Sequence, residues 1–294
     1  MDIVESQHHM FHTSDIEQTL AAMDAIGIAG AVVDEYWHHS GSVPMPAHAL
    51  PQGLYRPFLA GAELASSLHP TRFCHLLRVH VEDPLLASVV QLARAHPGLR
   101  ALRCDANSKL HLQMFGDGEY ADLFRVAADN ALPVFALTYH HPHLIARYLR
   151  DFPGLPIIID HCGLVASPDE FDKVLRLAEF PNAYLKWGHA RMIFGRGEWP
   201  YAHLANPLRQ AFDAFGAERI MWSSDSSMVA TGESWAETLF YLRDSALGRS
   251  QHEQESILGR TARALLDWPA VDAPHPRQAE FDAIEAEYRH GPYH

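Results

Sequence analysis

Eight short runs of β-branched and aliphatic residues, each followed by a longer stretch with helical spacing, order this 294-residue chain almost from end to end. The runs are DIVESQ (2–7), IAGAVVDE (28–35), FCHLLRVHV (73–81), LRALRC (99–104), PVFALT (133–138), PIIID (156–160), AYLKW (183–187) and RIMWSS (219–224). After the first, IEQTLAAMDAIG sets Ile16, Leu20, Met23 and Ile26 on one helical face and stops at Gly27. LLASVVQLARAHPG stops at Pro-Gly, and YADLFRVAADN, HLIARYLRDFPG and FDKVLRLAEF repeat the pattern before later runs. Apolar strands alternating with helices make a parallel sheet covered on its faces. Eight such units in about 250 residues predict an α/β fold, a distorted (β/α)8 TIM barrel over residues 1–268, with a C-terminal helical extension over 269–294. The alternative is an open doubly wound sheet, but no glycine-rich turn follows the first strand, where a nucleotide-binding sheet wants one.

Composition narrows the classes of function. The chain is 48% hydrophobic and 20% charged, a globular balance. It has no apolar run of about 18 residues, so no membrane span is expected. The start lacks a basic flank, apolar segment and cleavage site, so a cytoplasmic protein is expected. Cys74, Cys104 and Cys162 lie far apart without a CxxC pair, which predicts buried reduced thiols rather than disulfides or a zinc knuckle. A formal charge of −13 argues against a nucleic-acid partner, because phosphate binding needs a basic face. It leaves room for a small anionic substrate in a locally positive cleft. Histidine is in excess, with 21 residues, and only position distinguishes a functional one.

Barrel topology supplies positions, because the C-terminal ends of all eight strands converge on one mouth. Strand one ends in Gln7, His8 and His9; alternation puts Gln7 and His9 on one side and His8 on the other. Strand four carries Arg103, and strand six ends in Asp160-His161. Strand seven ends in Lys186-Trp187 with His189 just beyond, and strand eight in Ser223-Ser224-Asp225. Polar residues straight after apolar runs are either exposed at loop starts or gathered in a site. Two long segments, 36–55 and 188–202, leave strands at the same face and are rich in aromatics; they are either plain connections or a pocket rim. The acidic AEFDAIEAEYRH near the C-terminus is either packed in cis or a homo-oligomer contact.

In this order and spacing the motifs resemble the amidohydrolase-related enzymes, and within them the branch of 2-pyrone-4,6-dicarboxylate lactonase and the sugar lactonases, over most of residues 2–268. VESQHHMF is similar to the family's Asp-x-His-x-His-aromatic opening, LPIIIDHCG to its strand-six Asp-His-x-Gly, and NAYLKWGHA to its lysine-bearing strand seven. ERIMWSSDSSM resembles its Gly-Ser-Asp-Trp-Pro, and ILGRTARALLDW its closing helix. Gln7 replaces the first family histidine and Glu5 the family aspartate. The usual strand-five histidine position falls at Leu137 or Thr138, while His140 and His141 come later. The resemblance therefore implies a metal site reduced to His9, His161 and Asp225. Glutamine is a poor zinc ligand. The lactonase branch implies hydrolysis without an essential metal, so no cofactor is expected; one divalent ion, zinc or manganese, is the alternative.

The reaction expected is opening of a lactone or related cyclic ester of a carboxylated molecule. Asp225 takes a proton from water, and His161 and His9 donate N–H groups to the carbonyl oxygen. Arg103 and Lys109 are expected to hold a substrate carboxylate. Lys186, Tyr139, His189, Arg191 and Gln7 complete the substrate-binding set. Other roles stand beside these: Arg103 in an internal salt bridge, Lys186 neutralising Asp160 or Asp225, Asp225 as a helix N-cap, and His80 as a structural histidine. Trp37, Trp187 and Trp222 are core or wall. The alternative functions are a metal-dependent decarboxylase or hydratase of an aromatic or unsaturated acid, and an inactive barrel that binds a ligand.

Overall fold

The computed structural model describes residues 1–10, 15–34, 47–49, 55–57, 60–225, 234–244 and 249–270. All eight expected strands form, as β1 (Val4–His8), β2 (Gly30–Val33), β5 (Phe73–Arg78), β6 (Leu99–Asp105), β7 (Val134–Leu137), β8 (Ile157–Ile159), β9 (Ala183–Trp187) and β10 (Ile220–Trp222). They make one parallel sheet in the order β1-β2-β5-β6-β7-β8-β9-β10, curled into a nearly closed barrel. Two short strands that the sequence did not announce, β3 (Ala47–Ala49) inside the long 36–55 segment and β4 (Tyr55–Pro57) at its end, pair antiparallel. The rest of that segment, including Trp37, lies outside the described residues, as does the acidic C-terminal helix expected near 279–290.

Local signals set the helix ends. In Ile16–Ile26 the Asp15 side chain accepts from Gln18 N at 3.0 Å, and Gly27 closes the helix at φ 84°, a left-handed conformation glycine adopts without a Cβ penalty. The FDKVLRLAEF stretch forms only short turns, Asp172–Leu175 and Arg176–Glu179, a sharper break than its spacing predicted.

Two apolar cores follow from strand alternation. The larger lies between strands and helices and contains Trp187 and Trp222. The smaller fills the barrel: Val4, Val32, Cys74, Leu76, Ala101, Phe135, Ile158 and Met221 come from seven strands, and Tyr184 adds the eighth. Ala262, Leu266 and Trp268 close the cluster from below. The closing segment is tied down where Arg263 meets Asp2 at 2.9 and 3.0 Å and Trp268 Nε1 donates to Pro70 O at 2.8 Å. Gly259 allows the close approach, because a methyl there would overlap the Asp2 carbonyl oxygen. No helix among the described residues is long and apolar enough to cross a membrane.

Candidate active site

On five strands the inward positions turn from apolar to charged within one step of two, and on β10 within two such steps. Val32 is followed by Asp34, Leu76 by Arg78, Ala101 by Arg103, Ile158 by Asp160, Tyr184 by Lys186, and Met221 by Ser223 and then Asp225. The period of two thus stacks a polar layer on the apolar one. On β1 the register shifts between Glu5 and His8, and this irregularity brings Gln7 and His9, rather than His8, into the layer. His8 stacks on Trp235 instead, with ring centroids 4.8 Å apart. Glu5 lies where β1 meets β10: its carboxylate accepts from Ser224 N at 2.9 Å and Trp235 Nε1 at 2.9 Å. Burial, partly offset by these donors, raises its pKa to about 7.

The polar layer is a continuous network. Arg78 binds Asp34 with two contacts, 2.7 and 2.6 Å. Arg103 Nη1 also donates to Asp34, and its Nε donates to Asp160 at 2.8 Å. Lys186, fully buried, meets Asp160 at 2.5 Å and donates to Gln7 Oε1. Burial alone would raise the Asp34 pKa, but Arg78 and Arg103 hold it well below the usual carboxylate range. Burial pulls Lys186 below the ordinary lysine value while Asp160 works against that pull. Arg103, expected at a substrate carboxylate, and Lys186, expected in the substrate-binding set, are thus enclosed with Asp34 and Asp160, the internal arrangement weighed as the alternative for each.

Above this layer the histidines gather on Asp225. His9 Nε2 lies 2.9 Å from Oδ1; His189 Nε2 lies 2.9 Å and His161 Nε2 3.4 Å from Oδ2. Burial works to raise the Asp225 pKa, but the histidines, His189 first, hold its carboxyl well below the usual range. Burial holds the His161 pKa well below the imidazole value, with Lys186 adding to it. His161, His189 and Asp225 all have left-handed backbones, with φ of 47°, 54° and 51°. For residues with a Cβ this conformation is costly and concentrates at functional positions.

The structure therefore brings together His9, His161, Asp225 and Gln7, and adds His189 as a direct partner of Asp225. Lys109 stands apart, exposed at the first position of the helix Lys109–Asp117, and no contact places it in this cluster. Arg191 lies over the Tyr201 ring at 4.0 Å and donates to Arg196 O at 3.0 Å. Tyr139 is half-buried just past β7. Asp34 and Arg78 were missed from the sequence, although their spacing from the inward Val32 and Leu76 was the available signal.

A divalent ion fits the upper cluster. Ligand atoms of His161, His189 and Asp225 all lie within 4.8 Å of one another. Two imidazoles and a carboxylate suit zinc or manganese, and three protein ligands are what a catalytic ion with an open position takes. This set exchanges His9 of the expected ligands for His189; His9 remains at the other carboxylate oxygen.

Solved structures share the fold. An amidohydrolase from Burkholderia multivorans with zinc bound superposes with a TM-score of 0.71 at 17% identity, over 92% of this chain and 100% of that one. A Pseudomonas putida protein provisionally designated 2-pyrone-4,6-dicarboxylic acid hydrolase gives 0.65 at 18%, over 91% and 98%. An amidohydrolase from Bifidobacterium longum subsp. infantis gives 0.63 at 16%, over 92% and 100%. No curated protein sequence matches. The sequence model of the amidohydrolase family matches residues 47–268, and the chain belongs to that family.

Proposed function

We propose that the protein hydrolyses a lactone or related cyclic ester of a carboxylated small molecule. The observation that carries this reading is the convergence of His9, His161 and His189 on the two oxygens of Asp225 at the barrel mouth. Family membership supports a hydrolase, and the Pseudomonas putida neighbour, designated for a pyrone dicarboxylic acid, supports a cyclic ester.

In this mechanism Asp225 aligns a water and accepts its proton as the oxygen adds to the ester carbonyl. His189, at 2.9 Å, keeps the carboxylate aimed. His161 turns an N–H toward the developing oxyanion. The ring C–O bond then breaks, and the proton held by Asp225 passes to the departing oxygen, so water is consumed and a hydroxy acid or its tautomer is released. With Arg103 and Lys186 enclosed by carboxylates, Arg191 and Tyr139 are the groups proposed to meet the substrate carboxylate. A divalent ion held by His161, His189 and Asp225 would supply Lewis acidity and a lowered water pKa.

The fit of that trio to an ion favours a second reading, a metal-dependent decarboxylase or hydratase. One experiment separates them. Metal content is measured before and after dialysis against zinc or manganese, and each sample is given a panel of carboxylated lactones and unsaturated acids. Acid release followed by pH-stat supports the lactonase. Carbon dioxide or a hydrated product, formed only by metal-loaded protein and without lactone opening, refutes it.

A further inference from the structure

We propose that Glu5 is a positioning residue: its buried carboxylate closes the barrel seam between β1 and β10 and thereby sets Gln7 and Asp225 against one another. Neighbouring strands elsewhere in the sheet are joined by backbone ladders, and β1 and β10 are the two ends of that order. A side chain joins them. Glu5 Oε1 accepts from Gln7 N at 3.0 Å and Ser224 N at 2.9 Å. Its Oε2 accepts from Ser224 N at 3.0 Å and Trp235 Nε1 at 2.9 Å, and the Ser224 hydroxyl adds a further bond.

The donor set explains why the residue is a carboxylate. Glu5 is fully excluded from solvent, and β1, β10 and the helix Trp235–Arg243 all present hydrogens to it. An ionised carboxylate only accepts and takes about four bonds. Burial works against its charge, and these donors work for it. A glutamine would turn an amide N–H2 against N–H groups. An apolar side chain would leave the Gln7 and Ser224 amides buried without this acceptor.

Those two amides are the ones that matter to the site. Gln7 N lies across the register shift between Glu5 and His8, the irregularity that brings Gln7 and His9 into the polar layer. Ser224 N is the last amide before Asp225, whose left-handed backbone, φ 51°, carries its carboxylate to His9 and His189. Trp235, the third partner, stacks on His8 with planes 8° apart and holds that ring out of the layer. One carboxylate therefore fixes the mouth ends of both strands while acting only through them.

The test compares crystal structures of full-length wild type and Glu5→Gln in one crystal form. In wild type the Glu5 carboxylate is expected on Gln7, Ser224 and Trp235. In Glu5→Gln, Asp225 is expected to leave His189, breaking the 2.9 Å contact, with β5 to β9 unmoved. On the best substrate of the lactone panel, kcat is expected to fall roughly 10²-fold in Glu5→Gln, with KM changing less than about twofold, because the base moves and the substrate contacts do not. Glu5→Asp keeps the charge on a shorter arm and is expected to recover part of that loss. An Asp225 that stays on His189 in Glu5→Gln overturns the proposal. So does a wild-type kcat in Glu5→Gln, or an equal loss in both variants that tracks a lowered urea midpoint, the mark of a purely structural residue. If Glu5→Gln does not fold, the structure and kcat of Glu5→Asp decide by the same criteria. The kinetic arm rests on the hydrolysis proposed above; the crystallographic arm uses no substrate, so the two fail separately.

Discussion

Removing Lys186 tests whether the buried layer is held by charge balance. Three cations, Arg78, Arg103 and Lys186, share the barrel with Asp34, Asp160 and Asp225, and all but Arg78 are nearly or fully excluded from solvent. Lys186→Met leaves one uncompensated negative charge, with Asp160 still on Arg103 at 2.8 Å. Asp160→Asn leaves one positive charge in excess. Breaking a buried pair by deleting one member costs about 3–5 kcal/mol, which in a chain of this size lowers Tm by roughly 10 °C. The double variant restores the balance, so it should cost less than the sum of the singles by about 2–3 kcal/mol. Two unit charges at 4 Å interact by about 4 kcal/mol at an effective dielectric of 20. The observed contact is shorter, 2.5 Å, so a coupling of that size survives the desolvation it must offset. Urea unfolding followed by tryptophan fluorescence, compared at constant m, gives all three values. Additivity within about 0.5 kcal/mol would show that packing, not charge, holds the layer.

Asp225→Asn should keep the fold and lower kcat by about 10²–10⁴, the range for losing a positioned base; a full rate on the best substrate removes Asp225 from the mechanism. His75, buried and hydrogen-bonded to Ser66 Oγ at 2.9 Å, has a folded pKa lowered to about 3, chiefly by burial. The unfolded chain binds its proton below about 6.5 and the folded chain does not until about 3, so His75 costs stability as pH falls through that window. Relative to His75→Gln, wild type should lose about 2 kcal/mol between pH 7 and 5, read as urea midpoints; parallel pH profiles would refute this. The three buried cysteines should resist Ellman's reagent until unfolding, with burial pushing the Cys74 and Cys162 thiols up to about 12; a fast-reacting thiol in the folded protein contradicts that.

The strands were legible because each is a continuous apolar run, and a parallel strand buried on both faces needs nothing else in its sequence. The site was legible where a polar residue broke such a run at its end, as at Asp160-His161 and Asp225. Asp34 and Arg78 stayed hidden because nothing in their own neighbourhoods marks them. They acquire meaning only when inward positions of neighbouring strands are counted from the barrel floor. The roles of Arg103 and Lys186 could not be fixed from sequence because an arginine that binds substrate and one that binds Asp34 differ only in what the fold sets beside them. His189 was seen as a substrate contact; its turn onto Asp225 depends on a left-handed residue, and sequence marks that conformation only when glycine occupies it.

That backbone turn carries a last prediction. Side chains within a strand alternate, so β8 and β9, whose inward positions are Asp160 and Lys186, cannot also aim His161 and His189 at Asp225 without a bend just beyond the ladder. The left-handed backbones of His161 and His189 supply it, two residues past Ile159 and Trp187. At such a position an L residue costs roughly 1–2 kcal/mol that glycine does not. His189→Gly and His189→Ala both lose the 2.9 Å contact to Asp225, so their difference isolates the backbone. At an ordinary position alanine is the more stable by about 0.5–1 kcal/mol. At His189, with φ 54° and ψ 23°, the order should reverse, and His189→Gly should unfold at a Tm roughly 2–4 °C above His189→Ala. If alanine matched or exceeded glycine, the left-handed turn would not be strained, and the convergence on Asp225 would have to be explained by packing alone.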